Sequence, residues 1–282
     1  MATIIGTSAA WHDITVVLRR YGLDVKSPDE INSLLAHLLR SYTPEVEKKK
    51  FEIFQKIGVI KQQIFILRKE KGIWRRFFSW FRILKYKLQI ADLNKEEENY
   101  INLLSKHIQV LKNIQGSPEL VGAQTELEVI KNLSRLPSKY IVLNGVELTA
   151  HRFIRFNRVP LSSAQIDHIV LCSAGVFVIE TKRWSKKFTA SGNYHDPFDQ
   201  VQRASYLCYD NLRAIFGKIR IRSLIASAGY LPEPPKNSYT KVVSVSNISG
   251  YISWFKKEEI SEKHLMRIRH YLERYVTTIK PF

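Results

Sequence analysis

The chain has 282 residues, room for one large domain or two small ones, and 45% of them are hydrophobic, enough for an ordinary globular core. Its 44 Lys and Arg against 26 Asp and Glu leave a formal charge of +18, spread over both halves, which favours a polyanionic partner: nucleic acid first, an anionic membrane surface second. Two cysteines exclude a disulfide framework and a Cys-rich zinc site, and with no leader-like start and no long apolar run the expected compartment is the reducing cytoplasm.

The first elements read as a short helical cap over residues 1–44. Trp11–Tyr21 is helical in pattern. Ser27-Pro28-Asp29-Glu30 opens a second helix, expected to end near Ser41, because Thr43-Pro44-Glu45 repeats the start signal. Residues 45–116 follow as a long helical hairpin, with apolar residues at helical spacing and a break near Gly72 or Ser79; it is an accessory module and an expected homodimer contact. Within it, Arg68–Lys87 holds eight basic residues, one acid (Glu70) and six aromatics: Trp74, Phe77, Phe78, Trp80, Phe81 and Tyr86. Three readings stand side by side: base stacking with arginines on phosphates, a membrane-interface segment, or the buried tip of the hairpin packed on another domain or subunit.

Residues 117–282 read as an α/β domain. Helix 118–136 carries Val129, Ile130, Leu133 and Leu136 as its apolar stripe. At about 100° per residue Glu126 falls inside that stripe, an inward carboxylate. Tyr140–Leu148 and Phe153–Val159 are expected strands, the second bearing Arg152, Arg155 and Arg158, either as phosphate contacts or as a solvated sheet face. Next comes an apolar hairpin, Gln165–Cys172 and Val176–Thr181. With Ala174 and Gly175 as its two loop residues, Asp167 faces Lys182 and Glu180 faces Ile169, and all three charged side chains leave one face. One reading is a Mg²⁺ site for phosphodiester hydrolysis, carboxylates binding the hard cation and the lysine attending the attacking water. The other is an Asp167–Lys182 ion pair with Glu180 at a wet sheet edge.

After the hairpin stand Arg183, Lys186 and Lys187, further candidate phosphate contacts. Asp196-Pro197 starts a helix to Phe216, with Gln200 on the border of its apolar stripe. Leu231–Tyr239 is a loop, Lys241–Ser246 a strand and Ser261–Tyr275 a closing helix. His168 neighbours Asp167 but points to the opposite face, so its expected role is structural. No phosphate-binding G-x-x-x-x-G-K-[ST], G-x-S-x-G elbow or paired-histidine zinc pattern is present, so no nucleotide cofactor is expected.

The order Gly122-x-x-x-Glu126, Gln165-Ile166-Asp167, Gly175–Trp184 (G-V-F-V-I-E-T-K-R-W) and Asp196-Pro197-x-x-Gln200 resembles the nuclease-related domain, NERD, a branch of the PD-(D/E)XK nuclease superfamily. The resemblance spans roughly residues 118–246. It departs at Thr125, where the family often has glycine, and at Asp196, where it has asparagine; neither change removes a metal ligand. It implies a mixed central sheet flanked by helices, here with an N-terminal helical hairpin extension. It further implies Mg²⁺ or Mn²⁺ on Asp167 and Glu180, Lys182 as the catalytic lysine, Glu126 as a further site acid and Gln200 as an accessory residue. The backbone carbonyl of Thr181, between Glu180 and Lys182, is a further candidate ligand. The function expected is metal-dependent cleavage of nucleic acid, DNA before RNA, in DNA processing or genome defence. The alternative is a non-catalytic nucleic-acid or membrane-surface module that keeps the fold.

Overall fold

A computed structural model describes residues 1–69, 71–191, 195–231, 233–236 and 238–277; Glu70 and parts of the 231–239 loop lie outside them. In chain order the elements are β1 (Thr3–Ile5), α1 (Ala9–Arg20), α2 (Pro28–Arg68), α3 (Ile73–Gln115), α4 (Pro118–Leu133), β2 (Ile141–Thr149), β3 (Arg155–Phe156), β4 (Val159–Pro160), β5 (Ser163–Cys172), β6 (Gly175–Lys182), α5 (Lys186–Ser191), α6 (Pro197–Phe216), β7 (Ile221–Ser227), β8 (Lys241–Ser244), α7 (Ile248–Trp254) and α8 (Glu262–Glu273).

Contacts divide the chain into one unit of residues 1–17 and 117–282 and another of residues 18–116. This corrects the expected cap: residue 44 lies inside α2, which runs unbroken through Pro44. A proline removes one ladder hydrogen bond and crowds the preceding turn, but a helix of 41 residues retains enough neighbouring bonds to continue past it. In the second unit α2 and α3 lie antiparallel. Asn32 meets Gln115, Tyr42 meets Ser105 and Lys49 meets Glu96 across the pair, and Gly72, at φ +104°, precedes α3. Of the aromatics that one reading buried at the hairpin tip, Trp74, Phe77, Phe78, Trp80 and Phe81 are exposed in this chain and Tyr86 is half-buried.

The first unit is built on a six-stranded mixed sheet, ordered β1-β2-β5-β6-β7-β8. The three central pairings, β2 with β5, β5 with β6 and β6 with β7, are antiparallel, antiparallel and parallel; both edge strands join in parallel. One face packs on α6 and α8 through Val201, Leu207, Leu212, Ile268 and Leu272; the other packs on α4 and α7 through Val129, Leu133, Ile248 and Ile252. Because both faces are covered, β5 and β6 read as nearly continuous apolar runs. β1 is too short, and β7 (I-R-S-L-I-A-S) too mixed, to announce itself in the sequence; both are strands because a neighbouring edge takes up their backbone.

Three local expectations change. Phe153–Val159 is not a sheet strand. It folds on itself as the small β3–β4 hairpin, whose two loop residues Asn157 (φ 48°) and Arg158 (φ 67°) both take positive φ, as a type I′ turn demands. Asn144-Gly145, a possible turn or bulge by its sequence, lies inside β2: Gly145 has φ +58°, and a Cβ there would stand 2.9 Å from the Thr7 carbonyl. The β5–β6 loop is Ser173-Ala174, with Cys172 paired to Gly175. Gly175 is needed on two counts: its φ is +127°, and a Cβ would meet the Arg220 carbonyl, just ahead of β7, at 2.8 Å.

Candidate active site

The hairpin register is therefore two residues from the expected one. The ladder His168–Ile179, Ile169–Val178, Val170–Phe177 sets Glu180, not Lys182, as the next partner opposite Asp167. A shift of two keeps every side chain on its face, whereas a shift of one would have scattered the three charged groups. Asp167, Glu180 and Lys182 thus still leave the same face at the end of the sheet.

The pairing among them also differs from the expected Asp167–Lys182 contact. Lys182 Nζ sits 2.6 Å from Glu180 Oε1, with both side chains largely buried. Asp167 Oδ2 instead accepts the Thr181 N–H at 2.6 Å. Burial raises the Asp167 carboxyl well above the usual carboxylate range, helped by the charges of Glu180 and Glu126; the Thr181 N–H and Lys182 oppose the rise.

Glu126 reaches this cluster from α4. Ser117 caps the helix by accepting the Leu120 N–H at 3.2 Å, and Glu126 emerges from the buried face among Ala123, Val129 and Leu133. Burial raises its carboxyl and Glu180 adds to the rise; the Ser8 hydroxyl and the N–H groups of Ala9 and Ala10, at the start of α1, favour its charged form. Its Oε2 has no hydrogen-bond partner among the described residues, an expensive state for a buried carboxylate oxygen.

On the opposite side of β5, His168 is wholly buried in a polar chain. Its Nδ1 is 2.9 Å from Asn144 Oδ1 and its Nε2 3.1 Å from Thr181 Oγ1, and Asn144 Nδ2 donates to the Ile5 carbonyl at 3.2 Å. An amide oxygen only accepts, so Nδ1 carries the proton and Nε2 receives the threonine hydroxyl. Burial lowers the His168 pKa to about 3, which keeps the ring neutral. Thr181 is thus held by its hydroxyl on one side and by its N–H on the other, between Glu180 and Lys182. Sequence reasoning took Asn144 only as part of a possible turn or bulge; its one further signal is an amide after the apolar run Ile141-Val142-Leu143.

The remaining candidates are more dispersed. Arg152 is engaged by Asp210 of α6, Nη2 to Oδ1 at 2.5 Å, so its guanidinium is not a free phosphate ligand. Arg155 lies over the Phe153 ring, 5.2 Å from its centroid, and Arg158 is exposed at the β3–β4 turn. Arg183, Lys186 and Lys187 are exposed just beyond β6. Gln200 is exposed on the first turn of α6, whose start Asp196 caps by accepting the Phe198 N–H at 2.8 Å; no hydrogen bond among the described residues ties Gln200 to the acids.

The donor set suits a hard divalent cation. Burial and neighbouring acid charge raise the carboxyls of Asp167 and Glu126, the Oε2 of Glu126 is unsatisfied, and a single divalent charge would relieve both conditions. Among the described residues no three His, Cys, Asp or Glu side chains are already gathered around a point that would hold the ion. As they stand, Glu180 takes Lys182 and Asp167 takes the Thr181 N–H.

Residues 121–228 match the family described as the nuclease-related domain, so the sheet-bearing unit of this chain carries such a domain, consistent with the PD-(D/E)XK-like nucleases. The matched stretch contains Glu126, Asp167, Glu180, Lys182 and Gln200. Among solved structures the chain is similar to protein VC1899 from Vibrio cholerae, at 11% identity over 82% of this chain, with a TM-score of 0.29. It spans 58% of that protein's length. No curated protein matches it.

Proposed function

We propose that this chain is a divalent-metal-dependent nuclease that hydrolyses phosphodiester bonds, of DNA rather than RNA. The observation that carries the reading is the convergence of Glu126 from α4 with Asp167, Glu180 and Lys182 from the β5–β6 hairpin: Lys182 pairs with Glu180, while burial and neighbouring acids push up the carboxyls of Asp167 and Glu126. Asp167 and Glu180 would hold Mg²⁺ or Mn²⁺, with Glu126 and the Thr181 carbonyl completing the set. When bound, the ion supplies Lewis acidity at the phosphate and a water more acidic than bulk. Lys182, released from Glu180, orients the attacking water and stabilises charge developing on the phosphoryl oxygens. Arg155, Arg158, Arg183, Lys186 and Lys187 hold flanking phosphates as point charges without reading sequence, and Gln200 assists from the start of α6.

One observation favours a second reading. The Lys182–Glu180 ion pair is complete as it stands, and such a pair suits a module that binds nucleic acid without cutting it. The two readings separate in one experiment: incubation of the purified chain with plasmid, linear duplex, single-stranded DNA and RNA in Mg²⁺, Mn²⁺ or EDTA, beside Asp167→Ala and Lys182→Ala. The nuclease reading requires metal-dependent cutting that both substitutions abolish. Salt-sensitive binding with no cutting of any substrate, unchanged by either substitution, selects the binding module.

A further inference from the structure

The first turns of α3 present a face that the pairing with α2 does not use. At about 100° per residue, Ser79, Ile83 and Tyr86 fall on one side of α3, the side withdrawn from solvent as it runs against α2. Ile73, Trp74, Phe77, Phe78, Phe81 and Leu84 fall on the opposite side and are exposed, Trp74 at 76% and Phe78 at 63%. Trp80 lies at the border of this face, 57% exposed. Arg75 and Arg82 flank the apolar arc beyond Phe78, Arg76 and Lys87 flank it beyond Trp80, and Lys85 falls within it between Trp74 and Phe78. Helices that lie in a bilayer interface have this distribution: aromatic and aliphatic residues on one arc, cations along its borders.

We propose that this face of α3 docks the chain on an anionic phospholipid bilayer, the aromatics entering the headgroup–acyl boundary and the flanking arginines and lysines meeting lipid phosphates. Charge complementarity selects this partner, since Arg68–Lys87 holds eight basic residues against the single acid Glu70. The ring geometry favours lipid over nucleic acid. Phe77–Phe78, Phe77–Phe81 and Trp80–Phe81 pack edge to face, with centroids 5.9, 5.0 and 4.8 Å apart, so these rings form one continuous apolar patch rather than separate platforms spaced for successive bases. Contact is interfacial rather than spanning, because no helix among the described residues is long and apolar enough to cross a membrane. The proposal does not depend on catalysis at the acidic cluster.

The test is flotation of the full chain with vesicles of phosphatidylcholine alone and of phosphatidylcholine mixed with phosphatidylglycerol, at low and high salt, with tryptophan quenching by brominated acyl chains. The expected result is partitioning roughly tenfold or more stronger on the anionic vesicles, weakened by salt and by Arg75→Glu with Arg76→Glu. Quenching should fall in a Trp74→Phe/Trp80→Phe variant that still floats. A second variant, Phe77→Ser/Phe81→Ser, should keep its helical circular dichroism and lose flotation; both positions are exposed, so the fold does not rest on them. Equal partitioning on neutral and anionic vesicles, or none on either, overturns the proposal. So does a self-associated chain, or a single-stranded oligonucleotide complex, that shields Trp74 and Trp80 while vesicles do not.

Discussion

Asp167 is the residue where folding and chemistry conflict. A carboxyl whose folded pKa is raised stabilises the fold below the ordinary carboxylate range, and that contribution is lost as pH climbs through the raised value. Near pH 7 without divalent ion, Asp167→Asn should therefore raise the melting temperature by a few degrees, about 2–4 °C per kcal/mol relieved. It should also lower any metal-dependent cleavage by more than about a hundredfold, since even the loss of a residue that merely supports a metal ligand costs up to that. A melt and a cleavage assay on the same preparation check both halves. His168 works in the opposite sense. Its ring is neutral in the fold, with a pKa of about 3, while in the unfolded chain it takes up a proton near 6.5. Its contribution is whole above about 6.5 and is lost as pH falls toward 3, at up to about 1.4 kcal/mol per pH unit. His168→Gln should flatten the acid limb of a stability–pH profile followed by urea unfolding. An unchanged slope between pH 6 and 4 would show that another group sets it.

Among the elements, α2 carries a defect that can be repaired. Pro44 sits inside a continuous helix, and restoring its N–H through Pro44→Ala should stabilise the helical unit by roughly 1–3 kcal/mol. A later thermal transition for that unit is the readout. If Pro44 instead relieves strain where the two long helices must match, the substitution would be neutral. β6 depends on a close approach just past its end. Ala228 N–H donates to the Lys182 carbonyl and Tyr230 N–H to the Trp184 carbonyl, both at 2.9 Å, and Gly229 lies between them. A Cβ at Gly229 would fall 2.2 Å from the Trp184 carbonyl oxygen. Gly229→Ala should push the 182–184 segment aside, lowering the melting temperature and, through Lys182, the cleavage rate more than substrate affinity. A KM change with kcat intact would contradict that account.

For the whole molecule, the first 17 residues belong with residues 117–282 although a hundred-residue helical insertion separates them. β1 pairs in parallel with β2, its Ile5 carbonyl accepts from Asn144, and Ser8 accepts the Trp11 N–H at the start of α1, the helix end that faces Glu126. Deleting residues 1–8 should expose the β2 edge and release the Asn144–His168–Thr181 chain at one end. The expected result is a lower melting temperature for the sheet-bearing unit and faster amide exchange in β2, while the helical pair keeps its own transition. Loss of both transitions together would show that the two units fold as one.

Much of the site could be read before any fold was known, because its cues are short-range. Alternation along a strand placed Glu180 and Lys182 on one face, and a 3.6-residue period turned Glu126 inward; neither needs a distant partner. The same local logic marked the starts of α2, α4 and α6, of which Ser117 and Asp196 cap the last two. What lay beyond it were matters settled at long range. Which residue stands opposite Asp167 depended on how the two arms of the hairpin pair across the sheet. Arg152 was claimed by Asp210 on another helix. β1, β7 and the buried His168 network exist because neighbouring strands take up their backbone and polar groups. A strand edge and a buried ring are satisfied by residues far away in the chain, and pattern along one stretch carries no record of what arrives opposite it.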